Sequence, residues 1–238
     1  MFKLKVLSSS SKANGYVLTN GEDSLFIEAG KNYRIALVNA DYNALSINGM
    51  LVTHEHTDHA RCIKQYVSRR IPIYMPGDTM KNLNLECEYN VKPIELGQAV
   101  RLGNFTIHAF ECKHSVTCYG YIIWHKKLGK MLFATDTEFI KYSFKDLGLK
   151  HICIEANYSK DLLNRDDENS THVLQGHMEI GTTADFLREN ATSKLKNVVL
   201  LHLSDKNSDE KLFKEIVAKE VPETTKIYVA DKGMEIVL

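Results

Sequence analysis

Three histidines and an aspartate crowd into six positions of the stretch THEHTDHARC, as His54, His56, Asp58 and His59. Imidazole is a poor filler for a core or a bare surface, so this concentration points to a ligand set. His54 and His56 lie two apart, and on an extended or tightly turned segment both can face one side and meet one metal ion. Asp58 and His59 follow at the turn into a helix. Further candidates stand at the ends of strand-like runs: His114 in FECKHS, Asp136 in FATDTE and His202 in LLHLSD. Strand ends on one rim of a sheet converge on a shared cleft. Taken together these side chains suffice for two divalent ions that share a bridging carboxylate. Zinc suits a histidine-rich set, and manganese is compatible with its carboxylates. His108, His125, His151 and His172 have no such company and read as surface or hydrogen-bonded histidines.

The elements that must carry these residues are legible as short runs. KLKVL, YVLT and SLFIEAG read as strands bounded by Ser, Asn and Gly turn signals. A helical pattern spans about Tyr33 to Leu45, and MLVT reads as a buried strand whose end delivers the histidines into a loop. In DHARCIKQYVSRR the apolar residues fall near helical spacing, with Asp58 suited to cap the first turn. IPIYM is strand-like, PGDTMKNL a short helix begun by Pro76, FTIHAFECKHS a strand, and CYGYIIWH with KMLFATD a hairpin. The second half continues with strand HICIEAN, a helix from Ser159, helix IGTTADFLREN, strand NVVLLHLS, helix SDEKLFKEIVAK, and a terminal hairpin KIYVADKGMEIVL turning at Asp231 to Gly233. This order favours two mixed sheets packed face to face with helices outside, rather than one doubly wound parallel sheet.

At 238 residues and 44% hydrophobic, with no low-complexity linker, residues 1–238 are expected to form a single domain. Lys plus Arg and Asp plus Glu both number 30, so the whole chain offers no net basic field for nucleic acid or anionic lipid, which leaves only a local patch. The start lacks the pattern of a signal peptide and no run approaches the ~20 apolar residues of a membrane span, so a cytoplasmic location is expected. The five cysteines, at 62, 87, 112, 118 and 153, form no CxxC pair and read as reduced, mostly core thiols.

HEHTDH followed by His114, Asp136 and His202 resembles the metallo-β-lactamase superfamily, whose motif is HxHxDH, then a His, an Asp and a final His. LSSSSKANGYVL is similar to its Ser-rich strand turn, and LFIEAG to its strand ending in acid-Ala-Gly. The resemblance implies an α/β fold, a four-layered αββα sandwich of two mixed sheets with two metals at one edge. It implies that His54, His56 and His114 bind the first ion, Asp58, His59 and His202 the second, and that Asp136 bridges. Glu28 departs from the pattern, because the family usually has Asp there, so a supporting carboxylate would sit differently. His56 argues against the flavodiiron-like branch, which has Glu at that place. His59 and the absence of a leader argue against true lactamases.

The tail, EANYSKDLL then THVLQGHMEIGTTADFLREN then NVVLLHLSD, is similar to that of RNase Z, of WalJ-type nucleases and of phage anti-Pycsar enzymes that cleave cyclic nucleotides. That resemblance singles out His177. Hydrolysis of a phosphodiester expels an alkoxide, and a proton donor near neutrality contributes roughly 10² to 10⁴ in rate. An imidazolium suits the role, with Glu155 or Asp161 accepting from its other ring nitrogen. A water shared by two ions, its pKa lowered from 15.7 towards ~7, would supply hydroxide for in-line attack, with Asp58 also able to accept the nucleophile's proton. The expected function is therefore hydrolysis of a nucleotide phosphodiester. A small or cyclic nucleotide is favoured over a structured RNA, since net charge is zero and the chain has no room for an added arm or inserted domain. A nuclease acting on nucleic-acid ends is the first alternative, and a glyoxalase II-like thioesterase, needing no leaving-group acid, the second. A non-catalytic, metal-stabilised binding module is the third. Tyr119, Tyr121, Trp124 and above all Tyr158 are candidates to stack on a base. Relatives in the family imply a homodimer.

Overall fold

The seven residues of β2 (Ala13–Thr19) are all buried. Tyr16 and Leu18 point into one apolar layer and Val17 into another. A sheet buried on both faces must sit between two other layers. The computed structural model describes residues 1–163, 174 and 176–238, and among them the layers are two seven-stranded sheets with helices outside.

The first sheet runs in the order β14 (Glu235–Val237), β1 (Lys3–Ser10), β2, β3 (Ser24–Ile27), β4 (Ile47–Leu51), β5 (Ile73–Met75) and β6 (Val91–Pro93). The second runs β13 (Lys226–Val229), β12 (Asn197–Leu201), β11 (His151–Glu155), β10 (Gly129–Ala134), β9 (Cys118–His125), β8 (Phe105–Cys112) and β7 (Ala99–Leu102). In both, antiparallel pairings give way to parallel ones, from β3 to β6 and from β10 to β13.

Three apolar clusters fill the gaps between layers. Leu18, Ile27 and Leu51 meet Phe105, Tyr121 and Phe133 between the sheets. Outside the first sheet, Phe26, Met50 and Ile73 pack against α1 (Tyr33–Asn39), through Ala36, and α3 (Ile63–Val67), through Tyr66. Outside the second, Ile152, Ile154 and Leu200 pack against α5 (Ile180–Asn190), through Leu187, and α6 (Glu210–Ala218), through Phe213. Truncating one of these buried Leu or Phe side chains costs about 2–5 kcal/mol. The architecture is thus the αββα sandwich. Among the described residues no helix is long and apolar enough to cross a membrane.

Several local expectations need correction. The terminal segment is no hairpin: β13 joins β12 in parallel, whereas β14 crosses to the other sheet and pairs antiparallel with β1. Its turn signal at Gly233 is real, but the strands it separates belong to different sheets. The helix expected to reach Leu45 ends at Asn39, followed by a 3₁₀ turn at Ala44–Ser46, because Asp41 and Tyr42 take left-handed backbone angles. The helix after the histidine motif is broken into α2 (Thr57–Ala60) and α3, and its cap position is His56 with no side-chain cap, so Asp58 does not cap it. Residues 160–162 form a turn, and the rest of the helix expected from Ser159, with His172, lies outside the described residues. The short edge strands β6 and β7 carry too few apolar residues to announce themselves.

Candidate metal centre

The parallel strands set the site. Ile27 is in register with Leu51, Ala134 with Ile154, and Glu155 with Leu201, so Glu28, the histidine motif, Asp136, Glu155 and His202 all emerge at one rim. His114 follows β8, which runs in the same direction as β10. Bonds between sheets hold the two rims together: Tyr121 Oη donates to Val52 O at 2.6 Å, Tyr119 N to Thr53 O at 3.1 Å, and His202 N to Ser9 Oγ at 2.9 Å. Glu28, Asp136 and His202 each adopt φ of 51–65°, left-handed angles that turn their side chains off the strand direction into the rim. For non-glycine residues such angles cost about 1–3 kcal/mol each, and they persist where surroundings over-determine them.

The seven candidate metal ligands come together, with Glu155 and His177 beside them. His54, His56 and His114 have ligating atoms within 4.8 Å of one another, as do His54, His59 and Asp136, and Asp136, Glu155, His177 and His202. Asp58 Oδ2 lies 3.1 Å from His59 Nε2, and Asp136 Oδ1 3.3 Å from the same atom.

The histidine rings are anchored by their Nδ1 atoms. Thr53 Oγ1 lies 2.9 Å from His54 Nδ1, Gly176 O 2.9 Å from His114 Nδ1, and Glu155 Oε1 3.0 Å from His202 Nδ1, while Glu28 Oε2 faces His59 Nδ1 at 3.3 Å as an ion pair without hydrogen-bond geometry. Each anchor fixes the ring and the tautomer and leaves Nε2 for the centre, the arrangement by which ligating histidines are held. The Nε2 atoms of His54 and His202 are buried and have no hydrogen-bond partner, a state that costs free energy unless something else fills it. His56 instead turns Nδ1 inward, 3.2 Å from His114 Nε2.

Charge points the same way. Glu28, Asp58, Asp136 and Glu155 converge here, and among the described residues their ion pairs are all with histidine rings, none with Lys or Arg. Burial pushes His54 and His114 below the usual imidazole value, so both rings are neutral, the form in which imidazole can bind a metal. At His59 burial opposes the charged form, but Asp136 and Glu28 overcome it and hold the ring well above that value. Burial likewise opposes ionisation of Asp136, yet His202 and His59 keep it well below the carboxylate range. A proton on His59 thus stands where a cation is wanted. The donor set fits divalent ions.

Beside this cluster His177 Nδ1 sits 2.7 Å from Glu155 Oε1, with ring centroids 5.0 Å from His202 and 6.2 Å from His114. Burial works against its charge, but Glu155, then Asp136 and Asp58, raise its pKa to about 9. Glu155 is itself pinned by Thr137 N at 2.7 Å and Met178 N at 3.3 Å. The carboxylate facing His177 is therefore Glu155, shared with His202. Tyr158 is 4% exposed and Tyr121 lies in the core, so neither offers a ring face to a base.

Sequence reasoning missed Asn14. Its buried Nδ2 donates to Asp58 Oδ2 at 2.9 Å and to Ser10 O at 3.1 Å, and lies 2.9 Å from His59 Nε2. Glu28, the supporting carboxylate expected to sit differently from the family's Asp, reaches His59 and accepts from Thr53 N at 3.2 Å. The SKANG turn marks a loop but not the loop's target. Gly30 is needed for a different reason: a Cβ there would lie 1.9 Å from Asp58 O.

Comparison with known proteins agrees with this geometry. Residues 28–203 match the family model described as the beta-lactamase superfamily domain. Exodeoxyribonuclease YycJ of Bacillus anthracis is 24% identical over 233 residues, covering 92% of this chain and 88% of that protein. Ribonuclease Z of Agathobacter rectalis is 28% identical over 128 residues, covering 47% of this chain and 42% of that protein. Among solved structures, the metallo-beta-lactamase fold protein YhfI from Bacillus subtilis superposes with a TM-score of 0.72 at 18% identity, covering 98% of both chains.

Proposed function

The chain belongs to the beta-lactamase superfamily, and from that premise we propose that it is a metal-dependent hydrolase of nucleotide phosphodiesters. The observation that carries this reading is His177, a proton donor fixed by Glu155 at 2.7 Å beside the ligand cluster. Attack on a thioester carbonyl expels a thiolate, which leaves without a proton and makes little use of such a donor, whereas expulsion of an alkoxide from phosphorus does.

His54, His56 and His114 would hold one ion, Asp58, His59 and His202 a second, with Asp136 shared. When bound, the ions, zinc first and manganese also compatible, supply Lewis-acid polarisation of the phosphate and a more acidic water. Asp58, oriented by the Asn14 amide at 2.9 Å, accepts the proton of the attacking water. His177 delivers a proton from Nε2 to the departing oxygen, and Glu155 stabilises the ring while it is charged.

Two relatives act on nucleic acid by name, an exodeoxyribonuclease and a ribonuclease Z, which favours a diester at a nucleic-acid end. The balance of 30 basic and 30 acidic residues favours the second reading, a small or cyclic nucleotide. The test is turnover by the metal-loaded protein of bis(p-nitrophenyl) phosphate, cyclic mononucleotides, single-stranded DNA and RNA, and a glutathione thioester. Turnover of phosphodiesters is expected. Hydrolysis of the thioester alone would overturn the proposal.

A further inference from the structure

The rim that carries the metal centre also carries a polar cleft of about 480 Å³. Ser8, Ser9 and Ser10 of β1 line it, together with Lys12, Lys31 and Lys232. Its wall is bonded to residues of the site. Ser9 Oγ accepts from His202 N, and Ser10 O accepts from the Asn14 amide that also holds Asp58. Lys31 follows Gly30, whose backbone lies against Asp58.

Among the described residues no carboxylate pairs with the ammonium of Lys31 or of Lys232. Partial burial, with the repulsion of Lys232 and Arg61, pushes Lys31 below the usual lysine value, so the three charges sit close together. Of the acids on the cleft wall, Asp205 pairs with Lys12 at 3.7 Å and Glu210 with Lys214 at 2.6 Å, while Asp231 accepts from the backbone N of Lys232 at 2.6 Å and makes no ion pair with its ammonium. Unpaired ammonium groups above a floor of hydroxyls recognise phosphate. A cyclic mononucleotide has its one diester at the metal centre and no second phosphate to offer this cleft.

We propose that Lys31 and Lys232 grip the phosphate backbone of a nucleic-acid strand whose end diester lies at the metal centre, so that the substrate is a polynucleotide. This rests on the phosphodiesterase reading above. A local basic pair suffices, so the neutral whole-chain charge does not oppose it.

The experiment compares the wild-type holoenzyme with Lys31→Ala/Lys232→Ala and with Lys31→Arg/Lys232→Arg. Binding of a fluorescent, non-hydrolysable phosphorothioate oligonucleotide is read by anisotropy across salt concentrations, beside kcat/KM for an oligonucleotide and for bis(p-nitrophenyl) phosphate. Losing two strand phosphates should lower the slope of log K against log salt by about 1.4, at roughly 0.7 per contact. With the electrostatic contribution vanishing near ~1 M salt, binding at ~0.1 M should weaken about 25-fold. The loss of kcat/KM on the oligonucleotide should exceed that on bis(p-nitrophenyl) phosphate at least tenfold by the same arithmetic, and the arginine pair should restore most of it. An alanine pair that binds the strand with wild-type affinity and salt slope overturns the groove assignment, as does a wild type that binds no strand. Wild type that binds the strand through these lysines yet hydrolyses no phosphodiester keeps the groove and sinks the proposed activity.

Discussion

Replacing His177 by Asn tests the chemistry at its most specific point. The amide can still donate to Glu155, at the place where His177 Nδ1 now sits 2.7 Å away, but it has no proton to give to a leaving group. For a dinucleoside phosphate, whose alkoxide must be protonated as it departs, the loss should be about 10² to 10⁴ in kcat/KM, or roughly 3–5 kcal/mol of transition-state stabilisation. Bis(p-nitrophenyl) phosphate releases an anion that is stable near neutrality, so the same variant should hydrolyse it within about threefold of wild type. Glu155 also holds His202 at 3.0 Å, so bound metal must be measured in both proteins to separate lost acid catalysis from lost ligation. Equal losses on the two substrates at full metal content would refute the proton-donor role. No loss on either would do the same.

Three further outcomes follow from the geometry. Glu28→Gln removes the anion beside His59 Nδ1, and metal affinity measured by chelator competition should fall about 10- to 100-fold; unaltered affinity would mean that Glu28 serves the fold alone. Stripping metal with a chelator should lower Tm, because Glu28, Asp58, Asp136 and Glu155 lose their counter-charge and ligand saturation at ~100 times Kd is worth about 2.7 kcal/mol; a Tm insensitive to metal would contradict the site. His151, whose Nδ1 faces the Asn197 amide at 2.9 Å, is pushed down to about 4, chiefly by burial. Its folded pKa lies below the unfolded value, so its contribution is complete above pH ~6.5 and is lost as pH falls towards ~4, by about 2–3 kcal/mol at pH ~4.5. Urea midpoints across that window should show a smaller acid loss in His151→Gln, and parallel curves would sink the assignment.

The candidate ligands were readable because each demand they answer is local: a histidine pair two apart, and polar residues at the ends of apolar strand runs. The sandwich was readable from strand and helix order. What was hidden depends on partners distant in sequence. Asn14 matters only because folding brings Asp58 to within 2.9 Å of it, and nothing in SKANG names that neighbour. The left-handed angles at Glu28, Asp136 and His202 contradict residue preference and exist only where tertiary contacts enforce them. Likewise KIYVADKGMEIVL carries every local mark of a hairpin, and only the competing demand of β1 for a neighbour sends its second strand to the other sheet.

That return of β14 to β1 brings Phe2 and Leu238 side by side, with Leu238 N donating to Phe2 O at 2.9 Å. The backbone is nearly a closed ring. Joined there and opened at the exposed Leu96–Gly97 turn between β6 and β7, it would read as two uninterrupted runs, β7 to β13 for one sheet and β14 to β6 for the other. Circular permutation at that turn would therefore separate the sheets into consecutive halves while leaving every strand pairing, and the rim on which the histidines gather, as it is.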